Sequence, residues 1–147
     1  VLGAHMEKIR PIVTPYSVEI IENHEWKDGM GSSLAKGVEY ISIQNANREA
    51  LLILLIDQPE MMIDENYLPF LITTWRKYPD KVIATKYGNR YGVPCVFPAD
   101  LVSKLLDCQG SRGATHILNS ASCDVLGLEA GKLKKDFDRP EDLLSEK

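Results

Sequence analysis

Cysteine and histidine are scarce, and neither a basic block nor a long apolar run occurs in the 147 residues. The three cysteines, Cys95, Cys108 and Cys123, are too far apart for a CxxC zinc or redox signature. An odd number in so short a chain argues against a disulfide framework. With no secretory leader in view, a reducing cytoplasm is the expected compartment. His5, His24 and His116 stand apart from each other and from the cysteines, so metal-ligand spacing is absent. Acidic and basic residues are interspersed at a net charge of -4. Without a Lys/Arg stripe there is nothing to neutralise a run of nucleic-acid phosphates. The longest apolar run, Ala50 to Ile56, is far too short to span a bilayer but suits a buried strand. Internal repeats, low-complexity tracts and linkers are lacking too, so the length fits one domain over residues 1–147 with one core.

What is present reads as strands alternating with helices. Val1 to Ala4 resembles the end of a buried strand entering a turn at Gly3, and Val18 to Glu22 alternates apolar and polar like a second strand. Asp28 to Ser33 is a glycine- and serine-rich loop. A helix follows with Leu34, Val38 and Ile41 on one face and Ser32 or Ser33 as N-cap. Glu49 to Ile56 is a continuous apolar strand that ends at Asp57-Gln58-Pro59. Asp64 caps a helix whose inner face is Leu68, Leu71, Ile72 and Trp75. Lys81 to Tyr87 and Val93 to Phe97 are strands joined through Gly88-Asn89-Arg90. Pro98 to Leu106 is helical, with Leu101, Val102, Leu105 and Leu106 turned inward. A loop from Gln109 to Gly113 leads to a short helix holding Ile117 and Leu118, then to a strand over Cys123 to Leu128. Pro140 to Glu146 forms a terminal helix with proline at its start, where a missing N–H costs nothing. This order predicts an α/β sandwich with a largely parallel sheet.

Four places could carry chemistry. Ligands of open α/β sheets bind beyond the carboxyl ends of the strands, and Asp57 stands where the most apolar strand emerges, suited to a cation or a phosphate. As a bland alternative, it caps the turn before the next helix. In Asp136 to Asp142, the Asp138 and Glu141 pair satisfies a helix N-terminus by itself, which leaves Asp136 unexplained. Asp57 and Asp138 at two strand ends would together suit Mg²⁺, which takes oxygen ligands. Gly29, Gly31, Ser32 and Ser33 open a helix, where backbone N–H groups suit an anion or a ribose hydroxyl. Gly92 and Pro94 follow a turn and allow either close approach of a ligand or a tight hairpin. Thr85 closing an apolar strand after a lone aspartate raises a different class, the response-regulator receiver. That class needs an acidic pair after the first strand and a lysine before proline near the end, and neither is present.

Taken in order, these segments resemble the molybdenum-cofactor cytidylyltransferase (MobA-like) family within the glycosyltransferase-A-like nucleotidyltransferases. The resemblance rests on Val1-Leu2-Gly3-Ala4; on Asn23 with Trp26 and Gly29 to Leu34; on Asp57-Gln58-Pro59; on Gly92, Pro94 and Phe97; and on Asp136 to Asp142. It implies a three-layer α/β/α Rossmann-like fold, N-terminally truncated. The glycine-rich opening and lysine with which the family cradles the triphosphate do not occur in these residues. The family's Gly-Asp-x-Gly-Ala loop reads Gly110-Ser111-Arg112-Gly113-Ala114, so a role of that loop in binding the pterin does not carry over to this chain.

For the reaction, the resemblance implies transfer of a nucleoside monophosphate from CTP, in preference to GTP, to the terminal phosphate of molybdopterin cofactor. Asp57 and Asp138, with Asp136 as substitute, would hold Mg²⁺. Gly29 to Ser33 would line the nucleotide or pterin side, with Asn23 and Arg90 as neighbours and Gly92 and Pro94 close to the substrate. A molybdenum hydroxylase is the implied acceptor of the product. The chain alone is expected to be inactive, to self-associate as a homodimer through its N-terminal third, and to use neither nucleic acid nor membrane. A binding or scaffold domain without catalysis is the alternative.

Overall fold

The computed structural model describes residues 1–44, 47–108 and 110–130. Four strands, β1 (Ala50–Ile53), β2 (Val82–Tyr87), β3 (Arg90–Pro98) and β4 (Val125–Glu129), form one sheet in the order β1-β3-β2-β4. Strand side chains alternate between the two faces of a sheet, and here both faces are apolar. Leu51, Ile53, Val82, Ala84, Cys95, Phe97 and Val125 look one way. They pack on Val38 of α2 (Met30–Gln44), on Val102 and Leu105 of a 3-10 helix over Ala99–Asp107, and on Ile117 and Leu118 of α5 (Thr115–Leu118). Ala50, Leu52, Ile83, Val96, Leu126 and Leu128 look the other way. They meet Met61 of α3 (Pro59–Ile63) and Tyr67, Leu68, Leu71 and Trp75 of α4 (Tyr67–Lys77). Helices therefore cover both faces, the expected three-layer α/β/α arrangement.

The sheet is less parallel than the strand-helix alternation suggests. β1, β2 and β4 run one way, but β3 lies between β1 and β2 and is antiparallel to both. The cause is local. Tyr87 pairs with Arg90 across the Gly88-Asn89 turn, and a loop that short joins only antiparallel neighbours. Gly88 has φ +64, the left-handed region such turns need. A reversed strand inside the sheet also removes the receiver reading, because that fold is doubly wound and parallel.

Other expectations need correcting. Val18 to Glu22 does not form a strand: Leu2 bridges Glu22 in parallel, and residues 18–20 pair with nothing regular. Val1 is half exposed rather than the end of a buried strand. A helix missed in the sequence, α1 (Met6–Val13), occupies the following residues and keeps Pro11 inside it. Helix α2 begins at Met30, so Ser32 and Ser33 lie within its first turn instead of capping it. Leu106, expected inside, is 45% exposed, whereas its neighbour Leu105 is fully buried. Asp64 acts much as expected: its Oδ1 accepts the N–H groups of Asn66 and Tyr67 at 2.8 Å each. All three cysteines are free thiols. Among the described residues, no helix is long and apolar enough to cross a membrane. The Asp136 to Asp142 segment and the Pro140 to Glu146 helix lie outside the described residues.

Candidate active site at the carboxyl edge of the sheet

Among the described strands β3 alone is reversed, so the carboxyl ends of β1, β2 and β4 gather on one edge, with the Gly88-Asn89 turn beside them. A cleft of ≈ 360 Å³ opens there. Its walls are Val1; Met30, Ser33 and Leu34 of α2; Ile53 to Ile56 at and after the end of β1; Val93 of β3; and Arg112 to Thr115. Asp57 follows Ile56 directly. Its Oδ1 is buried and has no hydrogen-bond partner among the described residues. A buried carboxylate oxygen left unmatched costs free energy, and a water, a proton or a bound cation would satisfy it. Among the described residues no three His, Cys, Asp or Glu side chains converge. A single carboxylate of this kind is compatible with a small hard cation that keeps water and phosphate ligands. Asp136 and Asp138, the other carboxylates anticipated for this role, lie outside the described residues.

The glycine-serine loop is held in place by its neighbours. Gly29 has φ +100, and a Cβ there would sit 2.5 Å from the carbonyl carbon of Gly110. Two stretches of backbone thus touch, one opening α2 and the other beginning the Gly110 to Ala114 loop. Gly113, at φ +48, lies against the Met30 side chain, with 3.6 Å between its ideal Cβ position and the thioether. Asn23, 1% exposed, fastens the same region. Its Nδ2 donates to Ser32 Oγ and Ser33 Oγ at 2.9 Å each, and its Oδ1 accepts the N–H of Glu25 at 3.0 Å. Ser32 in turn donates to the Gly29 carbonyl at 2.8 Å. Asn23 therefore positions the first turn of α2 from beneath, while Ser33 reaches the cleft. Gly31 is buried in that turn.

On the strand side, Ala84 pairs with Cys95 but Thr85 with Gly92, so Val93 and Pro94 bulge out of the ladder. Proline fits there because it has no N–H to offer a neighbour. The two bulge carbonyls are met by side chains. Thr85 Oγ1 donates to Pro94 O at 2.8 Å while accepting from the Tyr67 hydroxyl, and Tyr87 donates to Val93 O at 2.6 Å. Gly92 leaves room for Tyr87: a Cβ would come within 3.0 Å of the ring. The bulge brings Val93 into the cleft wall. Arg90, at the tip of the hairpin, is exposed and does not line it.

Lys86 and Glu129 pair across β2 and β4 at 2.9 Å, and that hydrogen bond raises the lysine pKa. Burial pushes the Cys95 and Cys108 thiols up, with Asp107 adding to the effect on Cys108. Neither is an activated nucleophile. A second, wider concavity of ≈ 690 Å³ lies between α2 and the Ala99–Asp107 helix. It takes in Glu25, Asp28, Lys36 and Glu39 but no strand end, and Ser32 is the one anticipated site residue in it. The cleft at the strand ends thus joins Ser33, the bulge and the turn bearing Asp57. Sequence reasoning missed Arg112 and Thr115 as lining residues. Their only signal was a short glycine loop whose acid is replaced by Ser111.

Residues 1–125 match the family model of the MobA-like NTP transferase domain. Among solved structures, the crystal structure of Rv0371c from Mycobacterium tuberculosis H37Rv is similar, with a TM-score of 0.69 over 97% of this chain and 71% of that one. At 19% identity this likeness establishes the fold alone. No curated protein matches the chain.

Proposed function

We propose, on the premise that this chain belongs to the MobA-like NTP transferase domain family, that its cleft serves transfer of a cytidylyl group to the terminal phosphate of molybdopterin cofactor. The family makes the chain a nucleotidyltransferase domain; the nucleotide and the acceptor are our reading. An oxygen of the acceptor phosphate attacks the α-phosphorus of CTP, the bond to the bridging oxygen breaks, and pyrophosphate leaves. Such chemistry depends on positioning and on neutralising charge. Asp57 would hold Mg²⁺, with Asp138 or Asp136 as second carboxylate. When bound, the ion supplies Lewis-acid charge neutralisation at the phosphates. The chain's own residues do the rest. Asn23 fixes the opening turn of α2 so that Ser33 faces the ligand, and the Val93-Pro94 bulge shapes the opposite wall. The observation that carries this reading is the unpartnered Asp57 oxygen beside a cleft at the carboxyl edge.

CTP is preferred to GTP in this reading because Asp57-Gln58-Pro59 and the closing double acid resemble the cytidylyl branch. The implied acceptor of the product is a molybdenum hydroxylase, and the chain is a homodimer. The second reading, a binding domain without turnover, uses the same cleft to hold the nucleotide. Incubation with α-labelled CTP or GTP, Mg²⁺ and molybdopterin cofactor separates the two. For these 147 residues we expect labelled CTP to be retained above GTP without transfer, and label to reach the pterin once a glycine-rich opening is joined ahead of Val1. Retention of neither nucleotide would contradict both readings. Failure of the extended chain to transfer leaves the binding domain.

A further inference from the structure

The Val93-Pro94 bulge belongs to both layers of the molecule. The Val93 side chain packs with Leu34, Leu51 and Ile53 on the α2 side of the sheet and lines the cleft. The two bulge carbonyls are held from the other cluster, in which Tyr67 and Tyr87 pack with Met61. Pro94 O accepts from Thr85, which is itself bonded to the Tyr67 hydroxyl, and Val93 O accepts from Tyr87 at 2.6 Å. Of the two phenols, Tyr87 reaches further. Its hydroxyl also lies 3.4 Å from Met61 Sδ. Met61 is 1% exposed and stands in α3, the helix that starts at Pro59, two residues after Asp57. The Tyr87 ring is lodged against Gly92, where a Cβ would come within 3.0 Å of it. One hydroxyl thus touches the backbone behind one cleft wall and the helix that continues the Asp57 turn. A phenylalanine ring would fill the same space, so what the hydroxyl adds is the tie between those two parts.

We infer that Tyr87 is a positioning residue of the proposed nucleotide site: its hydroxyl fixes the Val93 wall relative to the turn that carries Asp57. The inference rests on the nucleotidyltransferase reading for what the cleft binds. Tyr87 itself meets no ligand and acts through Val93 and Met61. Thr85 and Tyr67 steady the neighbouring Pro94 carbonyl, but neither hydroxyl is bonded to α3.

The test is calorimetric titration of CTP with Mg²⁺ into the 147-residue chain and its variants, each kept below its unfolding temperature. Tyr87→Phe keeps the ring and loses the hydroxyl, and should weaken CTP binding about tenfold. Met61→Leu conserves volume but removes the sulfur, and should weaken binding less. The double variant should bind no worse than Tyr87→Phe, because the two groups form one tie and their effects do not add. Leu71→Met is the control: it alters the same cluster at a buried position on α4 and should leave CTP affinity at the wild-type value. Methyl NMR of the ligand-free chain gives a second readout. The Val93 methyl resonances should shift in Tyr87→Phe, while those of Val82, at the far end of β2, stay in place. Wild-type CTP affinity in Tyr87→Phe would overturn the inference and leave the nucleotide reading standing. Additive losses in the double variant, or a loss in Leu71→Met equal to that in Tyr87→Phe, would reduce Tyr87 to general packing and overturn it as well. So would Val93 resonances that do not move. A wild-type chain that binds no CTP would remove the reading and the inference together.

Discussion

Gly29 carries two constraints at once: φ +100 with ψ 176, a region essentially reserved for glycine, and backbone contact with Gly110. Gly110 carries one, φ +68 with open space where a Cβ would go. Gly110→Ala should therefore cost about 1–2 kcal/mol, the left-handed penalty alone. Gly29→Ala should cost more than this, because the loop at Gly110 and Ser111 must also move. Urea denaturation of both variants checks the order, and equal losses would show that the two loops do not touch. Glycines at 29 and 113 were legible as loop residues. Their partners were not, because the contacts join positions some eighty residues apart. Asn23 shows the same limit. In sequence it is a polar residue before a tryptophan, and only the fold reveals that its amide is taken up by Ser32, Ser33 and Glu25.

At the scale of elements, periodicity was a good guide wherever a segment had something to pack against on both sides. The Val82–Tyr87 strand and Leu68, Leu71 and Trp75 of Tyr67–Lys77 follow it closely, while the Arg90–Pro98 strand starts three residues before the expected Val93 and Ile72 joins neither core cluster. The run from Glu49 to Ile56 promised a longer strand than the four residues that pair. The ladder stops at Ile53 opposite Cys95, since the next partner, Pro94, has no N–H and lies in the bulge. Val18 to Glu22 alternates but has no neighbouring strand beyond the single bridge at Leu2. The order of the sheet was hidden in the two-residue turn, whose antiparallel consequence was outweighed by the βαβ rhythm of the remainder. In the Ala99–Asp107 segment the pattern admitted both leucines, and tertiary packing chose one. Leu105→Ala should thus cost about 2–5 kcal/mol, as for a fully buried leucine. Leu106→Ala should stay within about 0.5 kcal/mol, as for an exposed position. Comparable losses in the two denaturation curves would return Leu106 to the core.

On the whole molecule, the N-terminal third leaves Ile12, Tyr16 and Val18 exposed at 66%, 69% and 57%. Exposed apolar side chains there suit the proposed two-fold dimer, the commonest closed symmetry. Light scattering at micromolar concentration should give a dimer mass for the wild type and a monomer mass for the double variant Ile12→Glu, Tyr16→Glu. An unaltered mass in the variant would place the contact elsewhere. The edge where the strand ends gather holds the proposed site, and the sequence pointed there through Asp57-Gln58-Pro59 following an apolar run. Its far wall was not, since Val93 arrives by a bulge and Arg112 by loop packing. The central claim is that Asp57, with its buried and unpartnered oxygen, serves a cation-assisted nucleotide site. Calorimetric titration of CTP into the chain tests it most directly, with Mg²⁺ or with EDTA, for wild type and Asp57→Asn. The account predicts binding that requires Mg²⁺ and weakens about tenfold or more in Asp57→Asn, the scale expected when a charged ligand group is neutralised. Equal CTP affinity in the two proteins, or wild-type binding unchanged by EDTA, would contradict it.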